Sequence, residues 1–402
     1  MHLASAQPWS REGHWRRLDG AVAGLDGPLA ALSLDALAHN ARTMVALAAG
    51  LPLRLATKSI RSRDVVHAVL ASEGWRGVLA ATLPEALWLA ETVDDVLLGY
   101  PTADRAALAA LAADERGRAR ITLMVDDVAQ LDLIDAAAPA HPELRVAIEL
   151  DLALVRGPIR YGVRRSPVRE PEQAVALGRA IAQRPGFRLV GLMGYESQVA
   201  GVQDARWRGS APPAAVRTMQ RLSMRDAIER RGAVVAALAE VAELELVNGG
   251  GTGSIGRTAR DPSVTEVAAG SGLYGPHLFD GYRGITPAPA LGFALPVVRR
   301  PGPGCVTLLG GGWAASGPAG DDRSPIVAWP TGLRLDEEEG AGEVQTPVRG
   351  EAADDLALGD RVWLRHAKAG ELCERVDVLH VVSGTEVIGT AATYRGAGRM
   401  LL

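Results

Sequence analysis

Leu53-Arg54-Leu55-Ala56-Thr57-Lys58, followed after a short polar break by Asp64-Val65-Val66-His67-Ala68-Val69-Leu70-Ala71, is the stretch on which the fold turns. The first segment is short and mostly apolar and reads as a strand; the second reads as a helix. The same unit recurs along the chain. Gly77-Val78-Leu79-Ala80-Ala81 is a strand with a helix-like run over 84–91 behind it. Residues 95–100, 121–125, 145–150 and 189–194 read as further strands separated by helix-like runs. A long helix near 214–242 leads to Leu244-Glu245-Leu246-Val247, and the last strand of the series lies near 266–269. Strands that alternate with helices argue for a parallel sheet. Seven or eight such units suggest an α/β fold closed into a (β/α)8 TIM barrel, with an open doubly wound sheet as the alternative. Periodicity alone does not separate the two.

After about Pro287 the texture changes. Pro, Gly and Thr rise, and short β-type runs replace the helices: Cys305-Val306-Thr307-Leu308-Leu309, Ile326-Val327-Ala328-Trp329, Arg361-Val362-Trp363-Leu364 and Val378-Leu379-His380-Val381-Val382. The expected organisation is therefore an N-terminal arm over 1–27, carrying Trp9 and Trp15, a barrel over 28–286 and a β-rich domain over 287–402. The acidic, Gly-containing stretch 336–342 reads as a solvated turn. A chain of 402 residues leaves room for this second unit, because a single barrel uses roughly 250.

Composition excludes several classes. A formal net charge of −4 gives no footprint for nucleic acid. No apolar run approaches the roughly 20 residues of a membrane helix, and the N-terminus lacks the apolar core of a signal peptide. The two cysteines, Cys305 and Cys373, make no disulfide framework. A cytoplasmic protein without nucleic-acid or membrane partners is expected.

Lys58 would project at the C-terminal mouth of a barrel, where barrel active sites lie. Lysine forms Schiff bases when it can shed its proton, and burial in a mouth favours that. A surface lysine just past a strand is the plain alternative. Lysine is scarce beside arginine in this chain, and this one ends an apolar strand. The second motif is Asn248-Gly249-Gly250-Gly251-Thr252-Gly253-Ser254, directly after the strand at 244–247. Consecutive glycine amides make an anion nest, and a phosphate site after the seventh strand recurs in barrels. A flexible turn is the alternative, and no Gly-Lys-Ser/Thr follows to make a nucleotide loop. Across a barrel mouth the lysine and the nest would supply one covalent and one phosphate anchor, which is what pyridoxal 5′-phosphate (PLP) requires.

Five ordered segments add a family resemblance. They are Leu55-Ala56-Thr57-Lys58-Ser59, Arg160-Tyr161-Gly162-Val163, Gly194-Tyr195-Glu196, Gly250-Gly251-Thr252-Gly253-Ser254 and the run from Thr265-Glu266 to Gly272-Leu273-Tyr274. From about Pro28 onward the chain resembles the fold-type III PLP enzymes, the alanine-racemase-like barrels, and among them the D-threonine aldolase and D-serine dehydratase branch. The resemblance implies Lys58 as Schiff-base lysine and base. It implies Arg160 on the cofactor's phenolic oxygen and Tyr195 beside the ring or on the pyridine nitrogen. It places Gly250, Gly251, Thr252, Gly253 and Ser254 around the phosphate, with Tyr274 near it. A homodimer is implied as well.

In that branch a divalent metal is bound in the C-terminal domain by a histidine followed two positions later by cysteine or aspartate. The matching segment here is Arg365-His366-Ala367-Lys368-Ala369-Gly370-Glu371-Leu372-Cys373. His366 fits; Lys368 takes the second position, and a protonated ammonium has no lone pair for a metal. No metal site is expected from His366 unless Glu371 or Cys373 completes a rearranged one. The favoured expectation is that Lys368 replaces the metal's charge and that His366 and Lys368 contact the substrate. The resemblance thus implies a PLP-dependent lyase, aldolase or deaminase/dehydratase, on a small D-configured β-hydroxy amino acid such as D-threonine or D-serine. An amino-acid racemase and a non-enzymatic PLP-binding protein are the alternatives.

Overall fold

The computed structural model describes residues 1–207 and 211–400. Eight parallel strands close into a barrel: β1 (Leu53–Ala56), β2 (Trp75–Ala80), β3 (Val96–Leu98), β4 (Ile121–Val125), β5 (Leu144–Leu150), β6 (Phe187–Gly194), β7 (Leu246–Gly249) and β8 (Glu266–Ala269). Closure is made by β8 on β1, with Val267 opposite Leu53 and Ala269 opposite Leu55. The open sheet is thereby excluded. The bounds read from sequence hold at β4 and β8 and shift slightly elsewhere. The shift that matters is at β1, which stops at Ala56 and gives way to a 3-10 turn, Thr57–Ser59. Lys58 thus sits on a turn at the strand's C-terminal end.

Side chains alternate across β1 as a strand demands. Leu53 and Leu55 join the main apolar core. Arg54, between them, is 1% exposed and ion-paired to Glu266 on β8 and Asp95 just before β3. Its guanidinium gives Glu266 two hydrogen bonds of 2.6 and 2.8 Å, and Asp95 two of 2.8 Å. Asn248 on β7 also donates to Glu266, at 2.8 Å. One buried cation therefore fastens the seam where the barrel closes.

The β-rich domain is a nine-stranded sheet. The expected boundary at residue 28 needs correcting in one respect. Leu29–Ser33 belongs to this sheet, antiparallel to Leu291–Gly302 and parallel to Val378–Ser383. Its five residues are all buried, and the barrel is already complete without it. The N-terminal arm docks on the same sheet through helix His14–Ala21. Trp15 lies 5.9 Å from Trp363, centroid to centroid, and Asp19 accepts from Trp363 Nε1 at 3.0 Å and Arg361 at 2.9 Å. The acidic stretch from Asp336 is more ordered than a plain solvated turn. Asp336 is buried and accepts the amides of Glu338 and Glu339 at 3.0 Å and the Arg349 side chain. No helix among the described residues is long and apolar enough to cross a membrane.

His14 locks the arm. Its Nε2 lies 2.9 Å from the Pro289 carbonyl and its Nδ1 3.3 Å from Trp9 Nε1. Burial pushes its pKa from 6.5 down to about 4. The folded pKa is below the unfolded one, so docking is fully stabilised above pH 6.5 and loses stability as pH falls toward 4. Tryptophan emission from Trp9 and Trp15 is expected to change over that interval. The change should be absent in His14→Gln; an identical acid transition in that variant would refute the assignment.

Candidate active site at the barrel mouth

A cavity of about 1080 Å³ lies over the C-terminal ends of the strands, beneath the β-rich domain. The barrel contributes Lys58, Tyr100, Arg165, Tyr195, Gly250, Gly251 and Thr252; the second domain contributes Ser316, Lys368 and Glu371. The chain has only two lysines, Lys58 and Lys368, and both line this cavity.

The turn that carries Lys58 is held from several sides. Thr57 Oγ1 donates to the Leu79 carbonyl at 3.1 Å. Arg61, at φ 51°, donates through Nε to the Lys58 carbonyl at 3.0 Å and pairs with Glu374 of the second domain at 2.9 Å. Gly370, at φ +83°, lies so close that a Cβ there would sit 2.1 Å from the Lys58 carbonyl oxygen. Only glycine lets the β-rich domain abut the turn this tightly. Lys58 Nζ is hydrogen-bonded to the Tyr100 hydroxyl. Arg165 lies 5.5 Å over the Tyr100 ring and 5.4 Å over the Tyr195 ring, bridging them by cation–π contact. Burial pushes the Tyr195 phenol up to about 12, so it keeps its proton at neutral pH.

The glycine loop after β7 is partly as expected. Gly250, Gly251 and Thr252 face the cavity. A Cβ on Gly251 would come 2.9 Å from Ala200 Cβ and 3.2 Å from the Tyr195 ring. Thr252 Oγ1 accepts from the Gly272 amide at 3.1 Å, joining this loop to the one after β8. Gly253 and Ser254 do not line the cavity. Ser254 Oγ turns back to Thr258 Oγ1 at 3.1 Å and to the Gly251 amide at 3.2 Å. Beneath the loop is a feature missed from sequence. The Gly250 amide donates to Glu196 at 2.8 Å. Glu196 is paired with Arg231 of helix Pro213–Leu238, which also holds Asp261 at 2.6 Å. All three side chains are fully buried. An arginine in mid-helix gives no sequence signal of this kind.

Four expected site residues lie elsewhere. Arg160 is on a hairpin, Leu154–Arg156 with Ile159–Tyr161, where it is pinned to Asp151 at 2.9 Å and the Val163 carbonyl at 2.7 Å. Arg160 does not line the cavity; Arg61, Arg165 and Arg323 do, and of these Arg165 lies over the Tyr100 and Tyr195 rings. The hairpin's second strand carries the first two residues of the matched motif, Arg160 and Tyr161, which separates sequence match from position. Tyr274 is fully buried and donates to the Ile60 carbonyl at 2.9 Å, bracing the Lys58 turn from behind. His366 is 4% exposed and does not line the cavity, although Ala367 and Lys368 do. Burial, with Arg365 and His277 nearby, pushes its pKa down to about 3, so it is neutral. Cys373 donates to the Ile60 carbonyl at 3.3 Å, and burial pushes its thiol up to about 12. Lys368 does reach the cavity, donating to Ser316 Oγ at 2.7 Å and lying 3.1 Å from Glu371. Among the described residues no group of three or more His, Cys, Asp or Glu is placed to hold a metal ion.

The family model "Alanine racemase, N-terminal domain" matches residues 32–277. The chain belongs to this family. A 3-hydroxy-D-aspartate aldolase of Paracoccus denitrificans (strain Pd 1222) is 29% identical over 248 residues. That match covers 61% of this chain and 59% of the relative's length. A D-threonine aldolase structure from Filomicrobium marinum superposes with TM-score 0.78 at 24% identity, over 93% of this chain and 96% of that one. A D-threo-3-hydroxyaspartate dehydratase from Delftia sp. HT23 gives TM-score 0.67 at 21% identity, over 93% and 98%. These structures share the whole architecture, barrel and β-rich domain together.

Removing Arg231 would leave two buried carboxylates unpaired. Arg231→Leu is expected to cost about 3–5 kcal/mol in urea denaturation. A loss below about 1 kcal/mol, the scale of an exposed pair, would contradict the buried-pair reading.

Proposed function

We propose that this protein is a PLP-dependent lyase acting, by aldol cleavage or by deamination/dehydration, on a small D-configured β-hydroxy amino acid of the D-threonine or D-serine kind. The observation that carries the reading is the convergence of Lys58, a glycine-lined loop and Arg165 on one cavity. The residues fit the cofactor. Lys58 offers the amine, and Gly251 lies where a Cβ would press on Ala200 Cβ at 2.9 Å and crowd the Tyr195 ring at 3.2 Å. Thr252, on the cavity wall, would stand at the phosphate end, and Arg165 and Tyr195 would lie beside the ring. When bound, PLP supplies an electron sink for bonds broken at the substrate's α-carbon. The protein's part is to bind, orient and move protons. Lys58 would hold the cofactor and would serve as the base in the cavity. Lys368, oriented by Glu371 and Ser316, presents a cation to the substrate's hydroxyl or carboxylate.

The residues do not fit a divalent metal. Lys368 stands in the second ligand position, an ammonium offers no lone pair, and the His366 ring is sealed from the cavity. No step is routed through one. In a chain where arginine serves almost everywhere as the cation, both lysines stand where a compact ammonium differs most from a guanidinium. We further read the protein as a cytoplasmic homodimer. Ile159 and Tyr161, 51% and 43% exposed on the hairpin beside the site, supply an apolar surface, and both cysteines are free thiols.

Purified protein should be yellow and fix the cofactor covalently on borohydride reduction; Lys58→Ala should not. A cofactor still fixed in that variant would refute the lysine's role. Incubation with D-threonine and D-serine should release glycine with acetaldehyde, or ammonia with the keto acid. Racemisation without these products would favour the racemase reading. Chelator treatment is expected to leave kcat/KM unchanged, whereas Lys368→Ala should lower it by about 10- to 100-fold, the scale of one charged hydrogen bond. Chelator-sensitive activity restored by a divalent ion would overturn the role given to Lys368.

A further inference from the structure

Both lyase routes need two protons handled in one turnover. In aldol cleavage one leaves the β-hydroxyl and another arrives at the α-carbon. In dehydration one leaves the α-carbon and another arrives at the departing hydroxyl. Lys58 can serve one position at a time. The second group expected from sequence, His366, is buried outside the cavity and held neutral. Tyr195 touches Arg165 and keeps its proton, its phenol pushed up to about 12. Cys373 and Tyr274 spend their donors on the Ile60 carbonyl behind the turn.

Tyr100 is placed differently. Gly99 continues β3 through its amide to the Ala80 carbonyl at 2.9 Å, which delivers Tyr100 to the mouth. Its hydroxyl is bonded to Lys58 Nζ, the atom at which the chemistry begins. Its ring is steadied by Arg165 at 5.5 Å, which also spans Tyr195. Pro101, which follows it, limits the backbone on which it can swing.

We propose that Tyr100 is a catalytic residue, the proton-carrying partner of Lys58. This deepens the lyase reading and rests on it. In aldol cleavage Lys58 takes the proton from the substrate hydroxyl and becomes an ammonium. Tyr100 gives its hydroxyl proton to the α-carbon, and its oxygen is reprotonated from Lys58 Nζ across their hydrogen bond. One proton leaves oxygen and one reaches carbon, so both residues finish as they began. In dehydration the same pair works from α-carbon to departing hydroxyl. The lysine and tyrosine thus form a two-ended relay within one contact.

The test uses the full-length protein loaded with PLP. Tyr100→Phe should retain bound cofactor, judged by its visible absorbance. Loss of the hydroxyl from Lys58 Nζ should move the pH midpoint at which that band changes. It should also lower kcat by about 100-fold, the ordinary scale of general acid–base catalysis, with KM nearly unchanged. Band titration and kcat both matching the unsubstituted protein would overturn the proposal. If Tyr100→Phe loses the cofactor, a fluorotyrosine at position 100 keeps the shape and makes the phenol more acidic. It should shift the kcat–pH profile toward acid, and an unmoved profile would overturn the relay. Band titration needs no turnover. A shifted midpoint in a protein that cleaves neither D-threonine nor D-serine would fail the lyase reading alone and leave the Lys58–Tyr100 proton pairing standing.

Discussion

Everything at the mouth depends on the closure of β8 onto β1. Lys58 follows β1, the glycine loop follows β7, and Gly270–Ser271 follow β8; only in a closed ring are these neighbours. The seam is held by more than its backbone ladder. Arg54 spends its guanidinium on Glu266 of β8 and on Asp95 beside β3, while Asn248 of β7 donates to the same Glu266. Desolvating such a cation costs several kcal/mol, offset only when its donors are well paired. Here they are paired bidentately to two carboxylates. The pairing specifies one arrangement of the strands on which the site is built, since any slip would strand a buried charge.

The second constraint is the fit of the β-rich domain on the Lys58 turn. Gly370 meets the Lys58 carbonyl, Glu374 holds Arg61, and Cys373 and Tyr274 both donate to the Ile60 carbonyl. The segment 370–374 therefore serves as a brace for the lysine. This accounts for the chemistry of Cys373: its thiol, pushed up to about 12, is a buried donor and a poor metal ligand or nucleophile. The sheet that carries the brace includes Leu29–Ser33 and is covered by the N-terminal arm. The arm thus supports, through the sheet, the surface that faces the barrel.

Charge around the cavity is arranged in layers. Arg231 lies fully buried beneath the glycine loop and neutralises Glu196 and Asp261, so that Glu196 can hold the Gly250 amide. Arg165 stands between two tyrosine faces, where its guanidinium is held by cation–π contact and lies in the field of the buried Glu149 carboxylate. Lys368, on the second domain, is tethered by Glu371 and Ser316 but remains half-exposed. His366, two residues before it, is uncharged. The cations that line the cavity are therefore Lys58, Arg61, Arg165, Arg323 and Lys368 rather than His366.

The alternation of apolar strands with helices and the change of texture after Pro287 were legible in the sequence, because strand and helix periods are local properties of the chain. So were Lys58 and the front of the glycine loop, since each ends a strand and a barrel puts strand ends at its mouth. The placement of Arg160, Tyr274 and His366 was not, although each stands in a motif that resembles the family's. A hairpin carried Arg160 to Asp151, and core packing drew Tyr274 and His366 behind the wall. Tyr100 ended the strand read over 95–100 but nothing marked it as a site residue, and Arg165 and Arg231 carried no pattern; the three meet Lys58, the tyrosine rings and Glu196 only once the ring is closed. The sequence by itself determined which residues end the strands. The tertiary structure decided which side chains face the cavity, because that depends on long-range contacts that no local period encodes.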